Sequence, residues 1–351
     1  MSGAGKPRSI LVVRFRQMGD AIVATSLLST LHESFGDAEI DFVLNDRIAP
    51  LFEGHPAIRR VIAFSDADRH HFATFIRKVW RVTHERHYDV VIDLRSTANT
   101  MLFALLAPRP CLRIGLRKPY TWGVFDRRVG TSGENESMID HNLKFARQLS
   151  TFGELKVCRD LSLGISQAER EAFRAYMAQE GIDFGRPVVL VGVTTRLDNK
   201  SWPSDRMTAL LDRLTATYPG IQLVFNLAPG REAEKALGIY KAMGSKKGIF
   251  VNILAKSSRE LAAMAANCDV YFGNEGGSRH IVQAMGKPSF VICSPLARRR
   301  KWVPADTSVP ALAIEADDIA PTTGLTLEEK YALITVDAVW ERLRPFLDPF
   351  L

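Results

Sequence analysis

Short apolar runs alternate with amphipathic segments along the first half of the chain. The runs have the length and composition of buried strands, whereas the segments between them repeat apolar residues at helical spacing. We predict strands at residues 9–15, 40–44, 61–64, 90–94 and 111–116. The clearest helices are predicted at residues 20–35, 72–87 and 97–106. This alternation indicates a parallel sheet covered by helices on both faces.

The second half of the chain repeats this alternation. We predict strands at residues 187–193, 222–226, 249–254, 270–272 and 290–293. Helices are predicted at residues 207–218, after the capping pair Ser257 and Glu260, and at 336–346. The pattern predicts two doubly wound α/β domains, at residues 1–160 and 165–332. We expect a C-terminal helix within residues 333–351 to pack back on the first domain.

The alternation stops between residues 117 and 138, a stretch rich in Gly, Ser, Arg and aromatic residues. A loop of this length inside a compact domain is usually functional or mobile. Arg117, Arg127 and Arg128 are its candidates for binding the phosphates or carboxylates of an acceptor substrate. A solvated, flexible loop explains the same residues equally well.

Composition and charge limit the classes of function. The chain has 351 residues and a net charge of +7, which favours anionic partners without indicating nucleic acid. Four scattered cysteines, no Cys-x-x-Cys pair and no apolar run of membrane-spanning length predict a cytoplasmic protein. Asp66 and Asp68 resemble an acidic metal motif. Acidic residues before a helix are usually caps, so we expect no metal.

A glycine-rich turn at residues 273–277 follows the predicted strand at 270–272 and opens a helix. Such a turn exposes backbone N–H groups at a helix N-terminus, which makes it a site for a phosphate or another anion. Asn274, Glu275, Gly276 and Gly277 form the turn, and His280 lies one helical turn further on. A lone histidine at such a position usually packs or caps, so for His280 we weigh binding and packing evenly.

The first predicted strand is followed by Gly19 and Asp20. Gly19 permits a tight turn and the close approach of a ligand. Asp20 fits either a helix N-cap or a general base that deprotonates a hydroxyl, and the segment alone does not decide between them.

Two further strand-to-helix turns carry candidate ligands. Thr194, Thr195 and Lys200 precede a helix start and suit a diphosphate, although a polar loop with a solvated lysine is the alternative. Glu232 follows the strand at 222–226, where a carboxylate often holds ribose hydroxyls. A first-turn glutamate that complements a helix dipole is equally consistent with Glu232.

Taken together, these segments resemble the ADP-heptose:lipopolysaccharide heptosyltransferase family over most of the chain. The matching motifs are residues 18–20, 24–28, 194–196, 200–203 and 273–280. The resemblance implies an α/β GT-B fold, in which two Rossmann-like doubly wound domains face a central cleft. It places the acceptor on the first domain and the sugar nucleotide mainly on the second.

The resemblance also implies an inverting, metal-independent transfer of heptose from an ADP-sugar, with no cofactor, to the lipopolysaccharide core. By this match Asp20 is the base, and Glu232 contacts the ribose. The remaining donor contacts come from Thr194, Thr195, Lys200, Asn274, Glu275, Gly276, Gly277 and His280. The implied partners are a sugar nucleotide and an anionic lipid-linked saccharide, with peripheral contact to the cytoplasmic face of the inner membrane.

Two departures from the family pattern leave the donor sugar open. Glu275 stands where the family has Asp, and Gly276 where it has Thr, so one hydroxyl contact is missing. Two other functions remain as alternatives. A GT-B-like sugar-nucleotide epimerase would share the fold but would need more acid/base groups. A non-catalytic assembly factor would bind nucleotide or polysaccharide precursor without turnover.

Overall fold

The computed structural model describes residues 5–15, 17–304 and 306–351. Arg16, in the first strand-to-helix turn, therefore lies outside the described residues, as do residues 1–4 of the first predicted domain. The chain divides into two compact units, Met1–Gly164 and Ile165–Leu351. This division falls beside the domain boundary expected from the sequence.

The described residues of the first unit form a six-stranded parallel sheet with the order β3-β2-β1-β4-β5-β6. Its strands are β1 Ser9–Val13, β2 Glu39–Asn45, β3 Arg60–Phe64, β4 Val90–Asp93, β5 Leu112–Leu116 and β6 Arg127–Val129. In the register, Val12 lies between Phe42 on β2 and Ile92 on β4. The five predicted strands are confirmed as β1 to β5, although the first was predicted to end two residues later than it does.

Helices connect the strands of the first sheet. They are α1 Met18–Val23, α2 Thr25–Phe35, α3 Asp66–His70, α4 Phe72–His84, α5 Ala98–Leu106 and α6 Met138–Arg147. Chain order moves outward from β1 to β3 and then back across the sheet to β4. Because such crossovers are right-handed, α2 and α4 lie on opposite faces of the sheet. Aromatic rings join α4 and α5 to the sheet. Phe75 of α4 and Phe103 of α5 pack edge to face with each other and with Phe64, which in turn packs edge to face with Phe15.

The predicted helix at 20–35 is wrong in two respects. It begins earlier, at Met18, and it breaks at Ala24 into α1 and α2. The hydroxyls of Thr25 and Ser26 donate to the carbonyls of Ile22 and Val23, at 2.6 and 2.9 Å. These bonds compete with the regular backbone ladder and account for the break. Gly19, expected in a tight turn, is the second residue of α1.

The predicted loop at 117–138 contains an edge strand, β6, which the sequence analysis missed. Arg127, Arg128 and Val129 pair with Ile114, Gly115 and Leu116 of β5. Three residues with two arginines carry too little apolar pattern to indicate a strand. The pairing is favoured by Phe125, whose ring occupies the space where a Cβ on Gly115 would lie.

The second unit contains another six-stranded parallel sheet among its described residues, with the order β12-β11-β10-β7-β8-β9. Its strands are β7 Val188–Gly192, β8 Gln222–Phe225, β9 Ile249–Phe250, β10 Val270–Asn274, β11 Ser289–Ile292 and β12 Ala311–Ile314. Its helices are α7 Gln167–Gln179, α8 Ser204–Thr217, α9 Arg231–Ala242, α10 Ser258–Ala266, α11 Gly277–Ala284, α12 Arg299–Trp302, α13 Leu327–Leu333 and α14 Val336–Leu347. The strand expected at 249–254 is only two residues long, and β12 was not predicted.

The C-terminal helix α14 packs on the second unit, which corrects the expectation that it packs on the first. Its apolar side, with Val339, Trp340 and Leu343, belongs to the core that contains Phe290 and Ile314. The guanidinium of Arg213 lies 4.8 Å from the centroid of the Trp340 ring. The sequence shows that such a helix has an apolar face but does not show which core receives it.

Candidate functional site

Two neighbouring strands of the second unit, β7 and β10, leave no room for a side chain at two glycines beneath the proposed donor turns. A Cβ on Gly273, whose φ is +146°, would lie 2.4 Å from the carbonyl oxygen of Gly192. A Cβ on Gly192 would lie 2.1 Å from the Tyr271 hydroxyl oxygen. Glycine is therefore required at both positions. The parallel pairing of Gly192 with Gly273 aligns the ends of β7 and β10, from which the two proposed donor turns extend.

Asn274 ties the two turns together. Its buried side-chain Nδ2 donates to the carbonyls of Gly192 and Val193, each at 3.0 Å, and its Oδ1 accepts from the Trp202 backbone N–H at 2.7 Å. These bonds use both N–H groups of the amide. Asn274 was expected to contact the donor directly. In the structure it positions the loop that carries the other candidate ligands.

The loop after β7 holds Thr194, Thr195 and Lys200. The Thr195 backbone N–H donates to Ser201 Oγ at 3.0 Å, and the Thr195 hydroxyl donates to the Leu197 carbonyl at 2.7 Å, which closes the loop on itself. The hydroxyl oxygen of Thr194 is buried and has no hydrogen-bond partner among the described residues. The Lys200 ammonium forms no ion pair with any other residue that the structure describes. Thr194 and Lys200 are thus two polar groups of this loop that remain available to a ligand.

The N-terminus of α11 is open. Its N-cap, Gly276, has no side chain to satisfy the first N–H groups, and a Cβ there would meet nothing within 4 Å. Packing therefore does not explain the glycine, whereas the approach of an anion to the N–H groups does. The Glu275 N–H donates to the Ile292 carbonyl at 3.1 Å, and Gly277 begins the helix.

Arg279 and His280 lie behind this turn, both buried. Arg279 Nη2 donates to His280 Nδ1 at 2.8 Å and to the Trp302 carbonyl, and Nη1 donates to Gln283 Oε1 at 2.5 Å. Burial lowers the pKa of Arg279 to about 10, with the Glu275 carboxylate acting in the opposite direction. Burial, and then the Arg279 cation, hold the pKa of His280 well below its usual range.

The structure therefore places His280 as a neutral group that supports the turn from within. For His280 the sequence allowed direct binding and packing equally, and this placement favours packing. Sequence reasoning also missed Arg279. An arginine in the first turn of an exposed helix is ordinary, and nothing in the sequence shows that this one is enclosed.

Glu232 is the second residue of α9, which follows Gly230 with φ +88°. Burial raises the pKa of Glu232, and the nearby Arg196 opposes that shift. The neighbouring Asp198 accepts ion pairs from Lys235 at 2.6 Å and Arg231 at 3.2 Å. Glu232 thus keeps both roles that the sequence allowed, a first-turn glutamate and a ribose ligand.

Residues near the C-terminus brace the β7 loop. The Trp202 indole N–H donates to the Ile334 carbonyl at 2.9 Å, and the Tyr331 hydroxyl donates to the Asn199 carbonyl at 3.1 Å. Arg206 donates to the carbonyls of Tyr331 and Ile334, at 2.5 and 3.0 Å. Local sequence patterns do not indicate these contacts, because they join segments more than a hundred residues apart.

In the first unit, Asp20 is the third residue of α1 and does not cap it, since the N-cap is Gln17. Asp20 Oδ1 pairs with Arg14 Nη2 at 2.6 Å, and Arg14 Nη1 donates to the Leu94 carbonyl at 3.0 Å. No bond to Oδ2 is formed within the described residues, and the side chain is partly exposed. The N-cap alternative is thereby excluded, and an oriented carboxylate with one open oxygen remains.

The arginines proposed for the acceptor have different environments. Arg127 donates to the Gln148 carbonyl and to Thr151 Oγ1, and it lies 5.8 Å from the Phe152 ring centroid. Arg127 therefore stabilises the end of α6, which weakens its case as an acceptor ligand. The side chains of Arg117 and Arg128 make no hydrogen bond or ion pair with other described residues.

Asp66 and Asp68, considered as a metal motif, are engaged with cations. Asp66 pairs with Arg47 and Arg69, and Asp68 with Lys78. Asp68 also forms a capping box with Ser65. Across residues 5–15, 17–304 and 306–351 there is no group of three or more metal-ligating side chains. In the same ranges, no helix has the length and hydropathy needed to cross a bilayer.

The sequence profile of glycosyltransferase family 9 (heptosyltransferase) matches residues 76–299, well over half of this chain. Lipopolysaccharide heptosyltransferase 1 of Escherichia coli K12 is 24% identical over 299 residues. The alignment covers 82% of this chain and 88% of that protein.

Two solved structures share the architecture. A family 9 glycosyl transferase from Veillonella parvula has 17% identity and a TM-score of 0.81, over 97% of both chains. An E. coli heptosyltransferase solved with ADP-2-deoxy-2-fluoro heptose has 16% identity and a TM-score of 0.69, over 96% of this chain and 99% of that one. Together with the two parallel sheets, these similarities confirm the predicted α/β GT-B fold class.

Proposed function

Since this chain belongs to glycosyltransferase family 9 and is a glycosyltransferase, we propose that it moves a heptose from ADP-heptose to a lipopolysaccharide core acceptor. The donor is suggested by the relative solved with an ADP-heptose analogue, and the acceptor by the E. coli relative named as a lipopolysaccharide heptosyltransferase. Family membership favours transfer over the epimerase and assembly-factor alternatives.

One observation carries the proposal: Asn274 holds an unpartnered Thr194 hydroxyl and the open N-terminus of α11 at adjacent strand ends. Hydroxyls, helix N–H groups and a lysine suit a diphosphate, because each either donates a hydrogen bond or attracts negative charge. Lys200 supplies the cation in the same loop. Glu232 is our candidate for the ribose hydroxyls, at the end of the neighbouring strand.

The chemistry is a single displacement at C1 of the sugar. The acceptor hydroxyl oxygen forms the new bond to C1 while the bond from C1 to the diphosphate oxygen breaks. The hydroxyl proton goes to the open Oδ2 of Asp20, and the bonding electron pair leaves with the ADP. Displacement from the opposite face inverts the anomeric configuration, through a transition state with cationic character at C1.

We propose that this reaction needs no metal ion. Negative charge that develops on the leaving diphosphate is stabilised by Lys200, the Thr194 hydroxyl and the N–H groups of α11. The Asp66 and Asp68 carboxylates have cationic partners, so they are poorly suited to hold a divalent ion. Arg117 and Arg128 remain our candidates for the acceptor's anionic groups, at the cytoplasmic face of the inner membrane.

The test is transfer of heptose from ADP-heptose to a heptose-deficient lipopolysaccharide core by the wild type and by Asp20→Asn. Loss of the base should lower kcat by about 10²- to 10⁴-fold, because general-base catalysis contributes that much, and should leave the affinity for ADP unchanged. Asp37→Asn, which changes an exposed carboxylate of the same unit, is the matched control and should transfer at the wild-type rate.

Three outcomes would contradict parts of the proposal. Undiminished transfer by Asp20→Asn would reject Asp20 as the base. That assignment rests on the motif at residues 18–20 and on the open carboxylate oxygen, because Asp20 precedes the residues matched by the family profile. Loss of activity in excess EDTA would reject metal independence. ADP binding without any turnover would favour the assembly-factor alternative.

A further inference from the structure

Three large apolar side chains stand out from the surface of the first unit on two neighbouring helices. Phe72 is 65% exposed and Trp80 53% exposed on α4, and Leu105 is 46% exposed on α5. Isolated exposed apolar residues are common, but large ones grouped on adjoining helices mark interaction sites. This group is not explained by the glycosyl-transfer site.

The two helices that carry these residues pack side by side. Phe75 and Val79 of α4 lie in the same core cluster as Phe103 of α5. The Thr83 hydroxyl of α4 lies 3.4 Å from the carbonyl oxygen of Leu106 at the end of α5. Trp80 lies about one helical turn before Thr83, near the end of α4 that contacts α5.

The outer side of α4 is basic. Arg77 and Arg81 are exposed, and the Arg77 side chain forms no ion pair with other residues that the structure describes. The Arg81 guanidinium lies 3.5 Å from Glu85 on the solvent side. We call the surface formed by Phe72, Trp80, Leu105, Arg77 and Arg81 the α4–α5 face. An aromatic and aliphatic strip bordered by arginines is typical of helices that lie in a membrane interface.

We propose that the α4–α5 face docks the protein on a bilayer that contains anionic phospholipids. The arginines would face the negative headgroups, and the three apolar side chains would enter the boundary between headgroups and acyl chains. The amphipathic helix α14 offers no such surface, because its apolar side lies in the core of the second unit. This inference rests on the proposed function, because docking would bring the enzyme to a lipid-linked acceptor that resides in a membrane.

The test is co-sedimentation of the full chain with phosphatidylcholine vesicles that contain or lack phosphatidylglycerol. Wild-type protein should bind the anionic vesicles preferentially, with an affinity that falls as salt rises. Arg77→Gln with Arg81→Gln should lower the partition coefficient about twenty-fivefold at low salt, since each charge contributes about fivefold. Phe72→Gln, Trp80→Gln and Leu105→Gln together should lower it at least about tenfold.

Leu237→Gln with Lys241→Gln is the matched control, because both residues are exposed on α9 of the second unit. The control should bind vesicles as the wild type does. Equal loss in the control, or wild-type binding by the triple glutamine variant, would overturn the proposal. Failure of the wild type to bind any vesicle would overturn it too and leave the face to a protein partner.

The vesicle experiment contains neither donor nor acceptor, so its failure is distinct from failure of the proposed reaction. Transfer to a detergent-solubilised acceptor should be unchanged in the glutamine variants, and transfer to an acceptor embedded in vesicles should fall with the partition coefficient. Equal loss in both assays would contradict a docking role and indicate damage to the catalytic unit.

Discussion

Asn274 shows how one buried amide can hold two strand-end turns in place. Its two donors and its acceptor all bond to backbone atoms of the β7 loop. A buried hydrogen bond contributes only about 1 kcal/mol net, but a buried polar group left unpaired costs about 1 to 3 kcal/mol. Asn274 therefore matters more through what its loss would expose than through the bonds themselves.

Asn274→Asp is the sharpest test of this role. The substitution keeps the shape but points a carboxylate oxygen at the carbonyls of Gly192 and Val193 in a buried site. We expect the free energy of unfolding to fall by about 2 to 4 kcal/mol and ADP to bind at least about tenfold more weakly. Denaturant titration and calorimetry measure both. Asn135→Asp, at an exposed position, should change neither, and unchanged ADP affinity in Asn274→Asp would contradict the positioning role.

His280 couples the same turn to pH. In the folded protein its pKa lies well below the usual range, because of burial and the adjacent Arg279, so it stays neutral where an unfolded chain binds a proton. Below the unfolded pKa of about 6.5, the unfolded state therefore binds more protons than the native state. Stability is present above that pH and is lost as the pH falls.

The expected slope is about 1.4 kcal/mol of unfolding free energy per pH unit between about pH 6 and pH 5. His280→Gln removes this group, so its unfolding free energy should fall less steeply over that range by about the same amount. Above pH 7.5 the two curves should run parallel, whatever the constant offset between them. Denaturant titrations followed by a probe of the second unit give the comparison. Identical slopes at acid pH would show that His280 is protonated in the folded state.

At the level of secondary-structure elements, the sequence was informative wherever a segment is buried on one or both faces. The strands β1 and β7 consist almost entirely of apolar residues, β2 and β4 contain shorter apolar runs, and α4 carries a clear apolar stripe, so the apolar pattern identifies them. Of the four edge strands in the described residues, β3 was found, β6 and β12 were missed, and β9 was predicted too long. β6 has two arginines in three residues, and β9 has only two residues, so neither carries a readable period.

The candidate site divides in the same way. The turn residues Thr194, Lys200, Gly276 and Gly277 were predicted because strand ends and glycines are visible locally. The roles of Asn274 and His280 were not, because both depend on burial and on partners from distant segments. The packing of α14 could not be predicted for the same reason, since an apolar face does not show against which core a helix packs.

The whole chain consists of two units, each with its own core. The proposed donor residues all lie in Ile165–Leu351, whereas Asp20 and the α4–α5 face lie in Met1–Gly164. A ligand that binds only the native form of one unit stabilises that unit by mass action. Binding of the nucleotide alone should therefore stabilise one unit more than the other, which can be measured.

Saturating ADP should protect the second unit selectively in hydrogen exchange. At a hundredfold excess over Kd, the linkage amounts to about 2.7 kcal/mol, or about a hundredfold slower exchange where exchange requires opening of that unit. Amide groups of β7, β10 and α11 should show this slowing, because they carry the Thr194 loop and the open helix N-terminus. Amide groups of β1 and β4 should exchange as before. Asn274→Asp should lose the protection. Equal protection of both sheets would mean that the nucleotide couples the two units, and protection confined to the first would overturn the donor assignment.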